Sequence, residues 1–321
     1  MKINKSHCAM VFPGQGSQHV GMGVALADMY PTAKSVFQEV DEALGESLSR
    51  LMREGPEEEL RLTGNAQPAL MAVSIAALRV IEGKTDNKIT DLVDCVAGHS
   101  LGEYSALVAA ESISLSDCAR LLKLRGQSMQ SAVPVGAGAM AALIGADIKV
   151  ANEIVDSVRG HGVCDIANDN APGQVVISGT TDTIKKAVEL SQKKGVKKAM
   201  MLPVSAPFHC SLMEPAAKVM RDALETIQIK PPKVPIVTNV SASAIADSAY
   251  DIKRTLVEQV TAMVRWRESI VWMANSGIIS IAEVGAGKIL SGLIRRIDKN
   301  LETISLGEPE DIVVYINSLS S

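Results

Sequence analysis

The chain has 321 residues, 47% of them hydrophobic and 21% charged, with a formal net charge of −4 and 3% aromatic residues. That composition supports a large buried core and excludes intrinsic disorder. An acidic balance with so few rings also argues against a nucleic-acid surface, which needs a basic field and stacking platforms.

In chain order, Cys8-Ala-Met-Val-Phe12 reads as a short buried strand running into the loop Pro13-Gly14-Gln15-Gly16-Ser17-Gln18, with a helix following over 21–43. Residues 67–83 and 102–110 read as Ala- and Leu-rich helices with a strand at 92–97 between them, the alternation of an α/β fold with a parallel sheet. A further helix starts near Ser116. From Gly138 the pattern becomes strand 140–145, helix 148–159, strands 163–167 and 174–178, helix 182–194 and strand 197–204. This β-α-β-β-α-β order is the ferredoxin-like pattern and marks a small inserted domain over 134–205. The main domain is then discontinuous, 1–133 and 206–321. It resumes with a helix at 212–226, a strand at 234–239, helices within 251–275, a last strand at 278–284 and a closing helix.

The most informative segment is Gly98-His99-Ser100-Leu101-Gly102, which interrupts an apolar run just before a helix. A strand that turns sharply into a helix crowds its own backbone, and glycines on either side of a serine relieve the crowding. Ser100 is thus lifted to a helix N-terminus, where the unpaired N–H groups favour the anion formed when a serine attacks a carbonyl. The alternative is a tight turn without chemistry.

A serine nucleophile needs a base. Among His7, His19, His99, His161 and His209, the last follows a predicted strand and precedes a helix, in Pro207-Phe208-His209-Cys210, where active-site residues of α/β sheets sit. His99 should point away from Ser100, and Cys210 reads as packing. Asp165, Asp169, Glu214 and Asp222 offer no convincing third member. The orienting role needs an acceptor and not a charge, so a backbone carbonyl or an amide could fill it. Arg125 falls on the apolar stripe of its helix with Cys118 and Met129. It either pairs with a buried carboxylate or faces a cavity that an anionic ligand completes. The Gly14-x-Gly16 loop lacks the third glycine of a dinucleotide site and fits an oxyanion loop better, and Gly285-Ala-Gly287-Lys288 lacks the remainder of a phosphate loop. Lys193, Lys194, Lys197 and Lys198 read first as a solvated turn, with docking as the alternative.

The five cysteines, Cys8, Cys95, Cys118, Cys164 and Cys210, form no C-x-x-C pair, so neither a disulfide framework nor a zinc centre is indicated. The N-terminal apolar stretch is too short for a signal peptide, and no later run reaches the roughly 18 apolar residues of a membrane span. A cytoplasmic protein with no membrane or nucleic-acid partner is expected.

Taken together and in order, Phe12-Pro-Gly-Gln15-Gly-Ser-Gln18, Gly98-His-Ser100-Leu-Gly102-Glu-Tyr-Ser, Leu124-Arg125-Gly126, Pro207-Phe208-His209 and Glu283-Val-Gly-Ala-Gly287-Lys288 resemble the malonyl-CoA:acyl carrier protein transacylase family over essentially the whole chain. The resemblance implies an α/β-hydrolase-like main domain with a ferredoxin-like insertion. It also implies Ser100 as nucleophile, His209 as base, the backbone N–H groups of Gln15 and Leu101 as oxyanion donors, and Arg125 as the grip on a malonyl carboxylate. The backbone carbonyl of Gln259 would orient the histidine. Malonyl-CoA and acyl carrier protein are the expected partners of a monomer that needs no cofactor. One departure is Ala262-Met-Val-Arg-Trp266, where many bacterial members carry Asn-Pro-Val-x-Trp. A serine esterase or thioesterase of similar fold, and a noncatalytic carrier-binding subunit, are the rival readings.

Overall fold

The computed structural model describes residues 7–319. Among the described residues ten strands form two sheets: β1 Cys8–Phe12, β2 Cys95–Gly98, β3 Gly138–Ile144, β4 Cys164–Ala171, β5 Gln174–Thr180, β6 Lys198–Met201, β7 Ile236–Val237, β8 Ala244–Ile245, β9 Ser280–Val284 and β10 Glu302–Leu306. The larger sheet has the order β10-β9-β1-β2-β7-β8 and is parallel from β10 to β7, with β8 antiparallel at its edge. The smaller sheet, β4-β5-β3-β6, is antiparallel throughout.

Strand β1 lies at the centre of the larger sheet, and its five residues are all buried. Successive side chains leave a strand on opposite faces. Met10 and Phe12 therefore enter one core with Val96, while Ala9 and Val11 enter the other with Ala97 and Trp266. Both faces are covered, which is why the strand is apolar throughout and does not alternate. The helix Thr63–Thr85 fills the first core; it has the length and mean hydropathy (1.2) of a membrane span, but 89% of that window is buried inside the fold.

Several expectations need correction. The helix read over 21–43 is two helices, Val24–Met29 and Pro31–Leu44, with Tyr30 extended between them at φ −125° and ψ 114°. Proline disfavours a helical conformation in the residue before it and is well suited to opening the next helix. The strand read at 92–97 begins at Cys95, because Ile89–Leu92 closes a helical turn first. Strand β4 is longer than 163–167 and β6 shorter than 197–204. The strand at 278–284 is not the last: after the helix Ile289–Ile297 the chain adds β10 at the sheet edge and ends in the helix Pro309–Leu319. The half-exposed, polar-interrupted pattern of Glu302-Thr-Ile-Ser-Leu306 carries little of the apolar signal of an interior strand.

Phe12 and Gly98 are partners in the parallel ladder of β1 and β2. The loops leaving the carboxyl ends of these two strands, one carrying Gln15 and the other Ser100, therefore share a corner, the usual ligand position on an open parallel sheet.

Candidate active site

Ser100 lies two residues past the end of β2, and the helix Gly102–Ala109 starts two residues later. A Cβ on Gly98 would stand 1.9 Å from the carbonyl carbon of Gly102, and one on Gly102 would stand 2.1 Å from the Phe12 carbonyl oxygen. Both distances are well inside van der Waals contact, so the turn closes only with glycine at both places. Ser100 itself is held at φ 52°, a left-handed conformation that non-glycine residues adopt at a cost. Its peptide groups are clamped on both sides: Ser100 N–H donates to Asn239 Oδ1 at 2.7 Å, and Gln259 Nε2 donates to the Ser100 carbonyl at 3.0 Å.

The His209 ring lies 2.8 Å from Ser100 Oγ through Nε2 and 2.8 Å from the Gln259 carbonyl through Nδ1. A carbonyl only accepts, so Nδ1 carries the proton and Nε2 is left to accept from the serine hydroxyl. Burial, reinforced by the nearby Arg125 charge, pushes the His209 pKa down to about 3, which keeps the imidazole neutral and available as a base. His209 also lies at positive φ, 56°. None of the acids considered from sequence orients it: Asp165 accepts from the Ser211 N–H and hydroxyl, and Asp169 pairs with Arg267 at 2.7 Å. Cys210 donates its thiol to the Pro207 carbonyl and is buried.

Arg125 is 1% exposed. Nη1 donates to Gln67 Oε1 at 2.8 Å, and Nη2 donates to Gln259 Oε1 at 2.9 Å and to Ser100 Oγ at 3.2 Å. The guanidinium lies 5.6 Å from the centre of the Tyr104 ring. Among the described residues no carboxylate forms an ion pair with it, and its Nε has no partner. The first of the two possibilities left open by sequence, an ion pair with a buried carboxylate, is not formed: Arg125 is a buried cation held by neutral acceptors beside the nucleophile, facing a cleft of about 690 Å³.

Gln15, Leu101, Phe208 and His99 line the same cleft. The Ser100 amide is committed to Asn239, whereas the backbone N–H groups of Gln15 and Leu101 donate to no acceptor among the described residues. The His99 ring turns away from the serine hydroxyl, with Nε2 2.8 Å from Asn170 Oδ1 and its centroid 5.6 Å from that of Trp266. The departing segment around Val264 is tied down by backbone hydrogen bonds. Val264 N–H donates to Ala167 O at 2.8 Å, Asp169 N–H donates back to Val264 O at 3.0 Å, and Arg265 N–H donates to Asn239 O at 3.0 Å. Glu283 accepts from the N–H groups of Leu290 and Ser291, so the Gly285-Ala-Gly287 stretch serves a helix start. A second hollow, about 830 Å³ near Asp28 and Arg53, has these two charges paired with each other and contains no histidine or cysteine.

Glu103, Asn239 and Gln67 are site residues that sequence reasoning passed over. Glu103 belongs to the elbow segment, so adjacency was a usable signal. Asn239 and Gln67 lie 139 residues after Ser100 and 58 before Arg125, and they carry no local signature.

Comparisons with known proteins place the whole chain in a family. The family described as "Acyl transferase domain" matches residues 9–301. The malonyl CoA-acyl carrier protein transacylase of Bacillus subtilis (strain 168) is 46% identical over 98% of this chain and 98% of its own length, and that of Escherichia coli (strain K12) is 43% identical over 94% and 96%. The crystal structure of acyl-carrier-protein-S-malonyltransferase from Bartonella henselae superposes with a TM-score of 0.95 at 50% identity, covering 98% of this chain and 99% of that one. A malonyl-transacylase in complex with a type II PKS acyl-carrier protein superposes with a TM-score of 0.93 at 39% identity, covering 97% and 99%. An elbow serine, a histidine without an acid and a buried arginine without a carboxylate thus occur in a chain that belongs to the acyl transferase domain family, among its malonyl CoA-acyl carrier protein transacylases.

Proposed function

We propose that this chain transfers the malonyl group from malonyl-CoA to the phosphopantetheine thiol of acyl carrier protein through a malonyl-serine intermediate. The observation that carries the reading is the unpaired Arg125 guanidinium 3.2 Å from Ser100 Oγ, a cation set to receive the free carboxylate of an acyl group bound at that serine. In the first half-reaction His209 Nε2 takes the hydroxyl proton while Ser100 Oγ attacks the thioester carbon. The oxyanion rests on the Gln15 and Leu101 amides, and the C–S bond breaks with the proton passing to the CoA thiolate. In the second, the carrier thiol gives its proton to His209 and attacks the ester, and Ser100 leaves as the hydroxyl. The Gln259 carbonyl keeps the imidazole in one tautomer throughout. Arg125 can give the carboxylate two charge-assisted hydrogen bonds, about 1.5–3 kcal/mol each, and even one of them favours malonyl over acetyl by roughly tenfold or more.

The same reading makes the protein a cytoplasmic monomer that needs no cofactor or metal and has no membrane or nucleic-acid partner. Its main domain, 1–133 and 206–321, is α/β-hydrolase-like, a description supported by the elbow on a mainly parallel sheet. Residues 134–205 form a ferredoxin-like domain, supported by the order β4-β5-β3-β6. Lys193, Lys194, Lys197 and Lys198 are assigned to the carrier's approach; Lys197 and Lys198 precede or begin the edge strand β6, which leads into the cleft-lining Leu202 and Pro203.

Intact mass after brief exposure to malonyl-CoA tests the chemistry. A malonyl adduct is expected on the wild type and not on Ser100→Ala, and carrier protein should discharge it faster than water does. Equal discharge by water would identify a hydrolase, and no adduct would identify a binding subunit.

A further inference from the structure

Glu103 is a charged residue buried beside the nucleophile for which the reaction above has no use. It is 1% exposed and forms no ion pair among the described residues. One oxygen of its carboxylate, Oε2, accepts from Asn239 N–H at 2.8 Å and from Gln259 Nε2 at 3.0 Å. The same two residues clamp Ser100: Asn239 Oδ1 takes the Ser100 N–H, and Gln259 Nε2 gives to the Ser100 carbonyl.

A side-chain amide has one donor end and one acceptor end. The Gln259 donor end faces Glu103 Oε2, the Ser100 carbonyl and, at 3.4 Å, Asn239 Oδ1, all acceptors; its acceptor end faces Arg125 Nη2. Turned over, the amide would set oxygen against oxygen at Glu103 and Ser100, and N–H against N–H at Arg125. The acceptors on the Glu103 side therefore decide which end Arg125 meets.

We propose that Glu103 is a positioning residue: its Oε2 fixes the orientation of the Gln259 amide, and through it holds Arg125 by a neutral oxygen so that the guanidinium charge stays available for the substrate carboxylate. The arrangement answers a specific difficulty. A carboxylate in direct contact with Arg125 would position it equally well but would also neutralise it and compete with malonyl. Relaying the contact through an amide keeps the acid one group away. Burial pushes the Glu103 pKa up to about 7, against the opposing pull of Asn239 N–H, the Gln259 amide and Arg125. The relay does not depend on that ionisation, because a proton on Oε1 leaves Oε2 an acceptor.

The proposal rests on the malonyl-transfer reading, and its test is the ratio of malonyl to acetyl acylation of Ser100, followed by intact mass with each CoA ester. Glu103→Met removes the acceptor and is expected to lower malonyl acylation about tenfold more than acetyl acylation, whereas Glu103→Gln, which retains an acceptor oxygen, keeps the wild-type ratio. Gln259→Met preserves the backbone carbonyl that His209 needs and should lose the same preference. If Glu103→Met does not fold, Gln259→Met carries the test. Combining the two methionines should shift the ratio no further than Gln259→Met alone, since both break one relay. Equal losses on malonyl and acetyl, a ratio for Glu103→Gln as low as that of Glu103→Met, or fully additive shifts would overturn the assignment. Absence of a malonyl adduct on the wild type would instead sink the transfer reading itself.

Discussion

Ser100 and His209 both lie in the left-handed region, at φ 52° and 56°, yet the chain brings them there by different means. The serine turn is enforced mainly from within: Gly98 and Gly102 let β2 collide with its own following helix and with Phe12 of the neighbouring strand. The histidine loop is held from afar. Its ring is tied to a carbonyl 50 residues later, and the next turn is tied through Ser211 to Asp165, 46 residues earlier. Short-range crowding demands particular residue types, so it leaves a mark in the sequence. Long-range tethering by a backbone carbonyl leaves none, because every residue has one.

The contrast can be broken first at the serine. Gly98→Ala places a methyl 1.9 Å from backbone, and neither segment can move without dismantling β2. The substitution should cost at least about 3 kcal/mol and abolish Ser100 acylation, as measured by chemical denaturation and intact mass. A stable, acylating variant would show that the elbow opens freely.

At the histidine the expected effect is smaller and depends on pH. The folded pKa of about 3 lies below the ordinary 6.5. Between these values the unfolded chain binds a proton that the folded chain does not, so the contribution of His209 to stability falls as pH drops below 6.5. Relative to His209→Gln, the wild type should lose about 2 kcal/mol between pH 7 and pH 5. Denaturation curves of both proteins at the two pH values give the difference directly, and a difference that does not change with pH would mean that the His209 pKa is not shifted by folding.

The smallest effect belongs to the outer tether. Asp165→Ala removes the acceptor for the Ser211 N–H and hydroxyl, both at 2.8 Å. It should cost about 1 kcal/mol and slow acylation a few-fold by loosening the His209 loop, with the malonyl-to-acetyl ratio unchanged. A shifted ratio would mean that this tether also reaches Arg125.

What was legible follows the same division. The α/β alternation, the elbow and the buried face of the Arg125 helix could be read because each imposes a local pattern: an apolar run, two glycines, a stripe that includes Cys118 and Met129. The break at Pro31 was equally local and was read through. β10 was missed because an edge strand with one face toward water has no continuous apolar run. Gln67 and Asn239 could not be found by pattern, since each acts through one polar atom delivered across the fold.

The paired bonds of Val264 with Ala167 and Asp169, continued by Arg265 to Asn239, bear on how such a protein can be recombined. Val264 is fully buried. Cutting out residues 134–205 removes both backbone partners of Val264, and an exchanged piece that fails to set its own carbonyl and N–H there leaves two buried groups unpaired, a cost of about 1–3 kcal/mol for each. The condition on a transplant is therefore one of register: the strand that replaces 164–171 must place its backbone against 264 as this one does before it can host any new specificity.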